Sequence, residues 1–129
     1  MGQFFSPPRY RYGMVPLLAA FALAGPPKAF LQTGSTQVRL AVSSWCWRGH
    51  CGAPISASKK VAVAAHGSSV AVELTFTPKR ARVEIAGRPV TVVVHGHELS
   101  WPAARGGGVT VTVTSPRGWV TYVGRLRVR

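Results

Sequence analysis

From Thr36 onward apolar residues recur at every second position, and no stretch sustains an apolar period of 3.6. Val38, Leu40 and Val42 alternate with Gln37, Arg39 and Ala41, and Val61, Val63 and Ala65 follow. Val70, Val72, Leu74 and Phe76 alternate with Ala71, Glu73, Thr75 and Thr77, the pattern of a half-buried strand. Ala81, Val83 and Ile85 come next, then Val90, Val92 and Val94, then Leu99 with Trp101. Val109, Val111 and Val113 are set among threonines. The last run places Val120, Tyr122, Leu126 and Val128 on one face, with Gly124 in phase, and Thr121, Val123, Arg125, Arg127 and Arg129 on the other.

Turn-forming residues separate these runs at His66-Gly67-Ser68, Pro78-Lys79, Gly87-Arg88-Pro89, Gly106-Gly107-Gly108 and Ser115-Pro116-Arg117-Gly118. Glycine supplies positive φ and proline presets a turn position, so each is a mechanistic stop. The pattern predicts an all-β fold, an immunoglobulin-like β-sandwich of seven to eight short antiparallel strands. Its core is expected from Val38, Leu40, Val42, Val61, Val63, Val70, Val72, Leu74, Phe76, Val83, Ile85, Val92, Val111, Val113, Val120, Tyr122 and Leu126. Gly124 is expected to mark a bulge or a close backbone approach in the final strand.

Before the alternation the composition is different. Arg9 and Arg11 precede an apolar run of 11 residues, 14–24, that ends Ala22-Leu23-Ala24 before Gly25. That is the three-part form of a secretory signal with a small-residue cleavage site. The run is well short of the roughly 20 residues that cross a bilayer, and Pro16 weakens it as a spanning helix. A buried N-terminal segment or an uncleaved anchor is the alternative. The expected organisation is therefore a signal peptide or anchor at 1–24, a linker at 25–35 and a β-sandwich at 36–129, secreted or extracytoplasmic and associated with the envelope.

The whole chain carries 16 Lys+Arg against three acids, a formal charge of +13. Residues 25–129 keep 14 of those bases and all three acids (Glu73, Glu84 and Glu98), which leaves +11. So few acids cannot neutralise the bases internally, and the domain projects a field that attracts polyanions. Outside a cell these are an anionic envelope polymer, lipid headgroups or free nucleic acid, and nothing points to a specific nucleic acid. Net charge speaks to association without naming a partner, and simple solubility reads equally well. Lys79, Arg80, Arg82 and Arg88 surround one hairpin, while Arg125, Arg127 and Arg129 line one face of the last strand. Such a stripe suits an anionic polymer or headgroup layer. It also suits an edge strand that uses charge to block edge-to-edge pairing.

One segment departs from routine sandwich sequence: Ser43-Ser44-Trp45-Cys46-Trp47-Arg48-Gly49-His50-Cys51-Gly52. Two cysteines in an exported chain argue for one disulfide, Cys46 with Cys51. In one reading the loop is structural, with Trp45 and Trp47 capping the core. In another it is an exposed rim on which Trp45, Trp47, Arg48 and His50 contact a ligand, since Trp and Arg dominate binding hot spots. A redox role has little support, because the spacing is Cys-x4-Cys and not the Cys-x2-Cys of thiol oxidoreductases.

This Trp-Cys-Trp element with a second cysteine close behind, then strands, then a closing Trp119-Val120-Thr121-Tyr122-Val123, resembles a group of small exported bacterial β-sandwich domains of uncharacterised function. The likeness covers roughly residues 36–129 and implies fold and compartment but no activity. Members of that group often carry an acid after the second cysteine, where this chain has Gly52. A looser likeness is to the periplasmic copper-resistance sandwich domains, carried by Val72-Glu73-Leu74-Thr75-Phe76 and Ser115-Pro116-Arg117-Gly118-Trp119. There Arg117 and Trp119 stand where the family has its Asp and His ligands, so this likeness implies that copper binding at that place is lost.

The chain offers little material for catalysis. It has no aspartate, its three glutamates fall on separate runs, and no Gly-x-Ser-x-Gly elbow occurs. No catalytic residue and no cofactor is expected. His95-Gly96-His97 is the one metal-like motif: on a strand both imidazoles share a side, but two histidines fall short of the three or four ligands zinc requires. The leading expectation is a non-enzymatic binding or interaction module at the bacterial envelope that contacts an anionic surface or partner. A metal-handling periplasmic module and a structural accessory domain with a protein partner are the alternatives.

Overall fold

The computed structural model describes residues 25–34, 36–57 and 59–129, and the expected leader at 1–24 lies outside them. The described residues form twelve strands and no helix. They are β1 (Ala29–Gln32), β2 (Gln37–Arg39), β3 (Ala41–Trp47), β4 (His50–Gly52), β5 (Ala62–Ala64), β6 (Ser69–Leu74), β7 (Arg80–Ile85), β8 (Arg88–Val90), β9 (Val93–His95), β10 (Glu98–Pro102), β11 (Gly107–Ser115) and β12 (Gly118–Val128). One sheet has the order β9-β10-β6-β1-β2. The other has the order β4-β3-β12-β11-β7-β8, with β5 added beside β12. The two sheets pack into a β-sandwich whose strand pairs are antiparallel, except that β5 runs parallel to β12.

Alternation decides which residues meet inside. In the five-stranded sheet one inward row runs Leu99, Val72, Leu31 and Val38 across four strands, each at most 5% exposed. In the larger sheet the corresponding row is Val83, Val111, Tyr122 and Val42, at most 6% exposed. Each such Val or Leu contributes roughly 1.5–3 kcal/mol by leaving water. The threonines of β11 and the arginines of β12 take the alternate positions and face out.

Several expectations need correction. The expected linker at 25–35 contains β1, whose Ala29 and Leu31 are fully buried between β6 and β2. Only four residues alternate there, too few to register as a strand beside two prolines. The run 61–65 is in the opposite phase: Ala62 and Ala64 point inward, Val63 is half-buried and Val61 is 37% exposed. Ala62 and Ala64 are the register partners of Leu126 and Val128. A one-residue change of phase exchanges the two faces of a strand. The run 90–94 is divided between the sheets, β8 pairing with β7 and β9 with β10. Val92 is half-buried at the crossing, and Phe76 is half-buried at one end of the sandwich. Leu99, Trp101, Ala103 and Val109 join the core.

Candidate functional site

The cysteine loop is a two-residue hairpin. Arg48 (φ 53°) and Gly49 (φ 82°) form the turn between β3 and β4, and positive φ at both central positions matches the twist of the flanking strands. Cys46 and Cys51 are direct cross-strand partners and form the expected disulfide. The ladder between β3 and β12 shifts register at Ser43, since Tyr122 pairs with Val42 but Thr121 with Ser44. That bulge changes the phase of β3. Val42 therefore points inward together with Trp45 and Trp47, three and five residues later, and both cysteines go to the outer face.

Trp47 is consequently no rim residue. It is 5% exposed and its ring lies 5.0 Å from Phe76 at a tilt of 60°. Trp45 is half-buried over Gly52, and its indole N–H donates to the Ala53 carbonyl at 3.0 Å. Of the four residues expected on a binding rim, Arg48 and His50 remain exposed at the hairpin tip. The Arg48 N–H donates to the Arg117 carbonyl at 2.7 Å, so the β3–β4 and β11–β12 turns meet. Two recesses share this end of the sandwich. One, of about 470 Å³, includes Lys28, Trp47, Arg48 and Thr75. The other, of about 340 Å³, includes Thr75, Phe76, Thr77 and Arg117.

The arginine stripe is placed differently from its expectation. β12 is not an edge strand: β11 runs along one side, and β3 and then β5 along the other. Edge protection therefore does not account for its charge. Arg125 and Arg127 are exposed on the outer face, whereas Arg129 lies past the end of β12. The backbone of Arg129 is held by Ala64 and His66: its N–H donates to the Ala64 carbonyl at 2.9 Å and its carbonyl accepts from the His66 N–H at 3.0 Å.

Pairing along that second side of β12 is interrupted. The last pair with β3 is Val123 with Ala41, and the first with β5 is Leu126 with Ala62. Gly124 and Arg125 have no strand partner on that side. A trough of about 430 Å³ opens there. Its floor includes Val38, Ala41, Val123 and Gly124, and Arg39, Lys59, Lys60 and Arg125 surround it. The loop after β4 reaches this place because Val42 and Ile55 exchange backbone hydrogen bonds at 2.8 and 2.9 Å. Of these four bases the sequence pattern marks Arg125 alone. The Lys59-Lys60 doublet is a local signal, but its neighbours are set by the topology.

The acids are elsewhere. Glu73 and Glu98 are cross-strand partners on the outer face of the five-stranded sheet, where Gln32 donates to Glu73 at 2.8 Å. His95 and His97 flank Gly96 (φ 62°) in the turn from β9 to β10, so they do not share one strand face as expected. Among the described residues no three His, Cys, Asp or Glu side chains gather as a metal site would require. Also among them, no helix is long and apolar enough to cross a membrane. No protein-family model, curated protein or solved structure matches the chain.

Proposed function

We propose that this protein is an exported, non-enzymatic binding module of the bacterial envelope, and that it holds an anionic surface or partner in the trough beside β12. The observation that carries this is the gathering of Arg39, Lys59, Lys60 and Arg125, from three distant parts of the chain, around one concave floor with no acid in its lining. Like charges brought together repel, and they favour a ligand that neutralises them. The disulfide supports an oxidising compartment, and with it the reading of 1–24 as a secretory leader. Neither the trough nor the two end recesses is lined by a glutamate or histidine, which supports binding over catalysis.

Co-sedimentation of the full chain with anionic and neutral vesicles and with cell-wall fragments, across a salt series, tests this. Binding is expected to anionic targets only, and to fall steeply between about 50 and about 200 mM salt. The variant Arg39→Gln/Lys59→Gln/Arg125→Gln is expected to lose most of it. The charge-matched Arg82→Gln/Arg88→Gln/Arg105→Gln is expected to retain it. Salt-insensitive binding, or equal loss in both variants, overturns the reading.

A further inference from the structure

We infer that the trough takes a single anionic phospholipid, with the phosphate among the basic side chains and the first methylenes of an acyl chain on the floor; this rests on the binding function proposed above and narrows it to one ligand class. Polymers of phosphate or uronate are polar along their whole length. They would match the rim of this trough and waste its floor. The floor includes Ala41, Ala57, Val123, the bare backbone of Gly124 and an edge of the otherwise buried Val38, with Ser56 as the one uncharged polar side chain of the lining. An apolar surface left open to water between cations gains free energy when methylenes cover it, at the same place where the cations gain a counter-charge. The flexible, apolar stems of Lys and Arg suit such a boundary, since they lie along hydrocarbon while their heads reach polar groups.

The size agrees. The trough, of about 430 Å³ and open to solvent, has room for a glycerol phosphate and several methylenes, and its open side leaves the rest of an acyl chain outside. The backbone explains why the place exists. The trough lies where β12 has left β3 and not yet met β5. The single ligand is thus a lipid held at its headgroup shoulder, with the distal chain outside.

Isothermal titration of the full chain with monomeric short-chain lipids tests this without a bilayer. The probes are dihexanoyl phosphatidylglycerol, its deacylated headgroup glycerophosphoglycerol (which carries the same single charge), and zwitterionic dihexanoyl phosphatidylcholine. The acylated anion is expected to bind at least tenfold more tightly than either of the others. Arg125→Gln should weaken both anions several-fold. Val123→Thr, which keeps the shape and adds a hydroxyl, should weaken the acylated anion about threefold and leave the headgroup unchanged. The apolar segment at 14–24 is common to all variants and cancels between them, and the zwitterionic lipid, acylated in the same way, reports any contact that segment makes with acyl chains. Equal affinity for the acylated and deacylated anions overturns the lipid assignment but leaves the anion-binding function standing. Binding of neither anion, with salt-sensitive retention on wall fragments, also overturns the lipid assignment and leaves that function to a polymer. Binding to none of these targets overturns both.

Discussion

The Tyr122 hydroxyl donates to the Pro27 carbonyl at 2.7 Å, and so ties the longest strand to a segment 95 residues earlier in the chain. Tyr122 is fully buried, and it is the sole tyrosine among the described residues. Replacing it with Phe keeps the ring and orphans the Pro27 carbonyl. The expected cost is about 1–2 kcal/mol, read as a lower urea midpoint at unchanged slope.

The same phenol makes stability depend on alkaline pH. Burial pushes its pKa well above the usual value near 10. Above pH ~10 the unfolded phenol has lost its proton while the folded one keeps it, so the unfolded state binds fewer protons. The contribution is whole below pH ~10 and declines above it, by about 1.4 kcal/mol per pH unit. Urea midpoints from pH 8 to about 11 should show this decline in the native chain. The Tyr122→Phe variant should lack that share of it.

Gly124 is spaced for Leu40. A methyl group at 124 would run into the Leu40 side chain, which is itself 2% exposed. Gly124→Ala is expected to cost about 1–3 kcal/mol through overpacking. Leu40→Ala alone should cost about 2–5 kcal/mol by leaving a cavity. The double variant should be less destabilised than the sum of the two, with a coupling of at least ~0.5 kcal/mol in a double-mutant cycle. Strict additivity would show that the two sites do not share this space.

Gly124 also marks the limit of what the sequence could convey. Its position in phase with Val120, Tyr122 and Leu126 announced a close approach, but the approaching group is the Leu40 side chain and not backbone. Period-two runs made the sandwich legible wherever a strand has at least three alternating apolar residues, as in β6, β11 and β12. Short strands escaped, because three or four residues such as those of β1 and β4 carry too little pattern. Phase was lost where an irregularity intervened. The bulge at Ser43 sends Trp47 inward, and no local signal announces it. The trough was legible least of all. Arg39, Lys59, Lys60 and Arg125 become neighbours through strand order and the Val42–Ile55 bridge, and neither leaves a mark in any one segment.

The disulfide should act on stability without deciding the fold. Cys46 and Cys51 close a loop of about six residues, which in the chain-entropy account is worth roughly 2 kcal/mol. The same hairpin is also held by its turn, by three cross-strand pairs and by the Trp45 bond to Ala53. A Cys46→Ser/Cys51→Ser variant is therefore expected to retain its far-ultraviolet β spectrum and near-ultraviolet tryptophan bands, while its urea midpoint falls by an amount equivalent to about 2 kcal/mol. Loss of the β spectrum would show that the clip is required for folding.

The four tryptophans differ in access to water, and alternation on β3 and β12 explains two of them. Trp47 shares the inward phase and meets Phe76, whereas Trp119 takes the outward phase opposite Cys46 and is 38% exposed. Trp101 is 3% exposed and Trp45 is half-buried. Acrylamide should therefore quench one component of the emission preferentially, and Trp119→Phe should remove that component and shift the remaining emission to the blue. Trp119→Phe should change stability by less than ~0.5 kcal/mol, as expected for a surface position. Trp47→Ala should cost about 3–5 kcal/mol, because it empties a packed site and leaves Phe76 without its partner. If Trp47 proved the accessible residue instead, the phase change at Ser43 would be misplaced, and with it the assignment of the cysteines to the outer face.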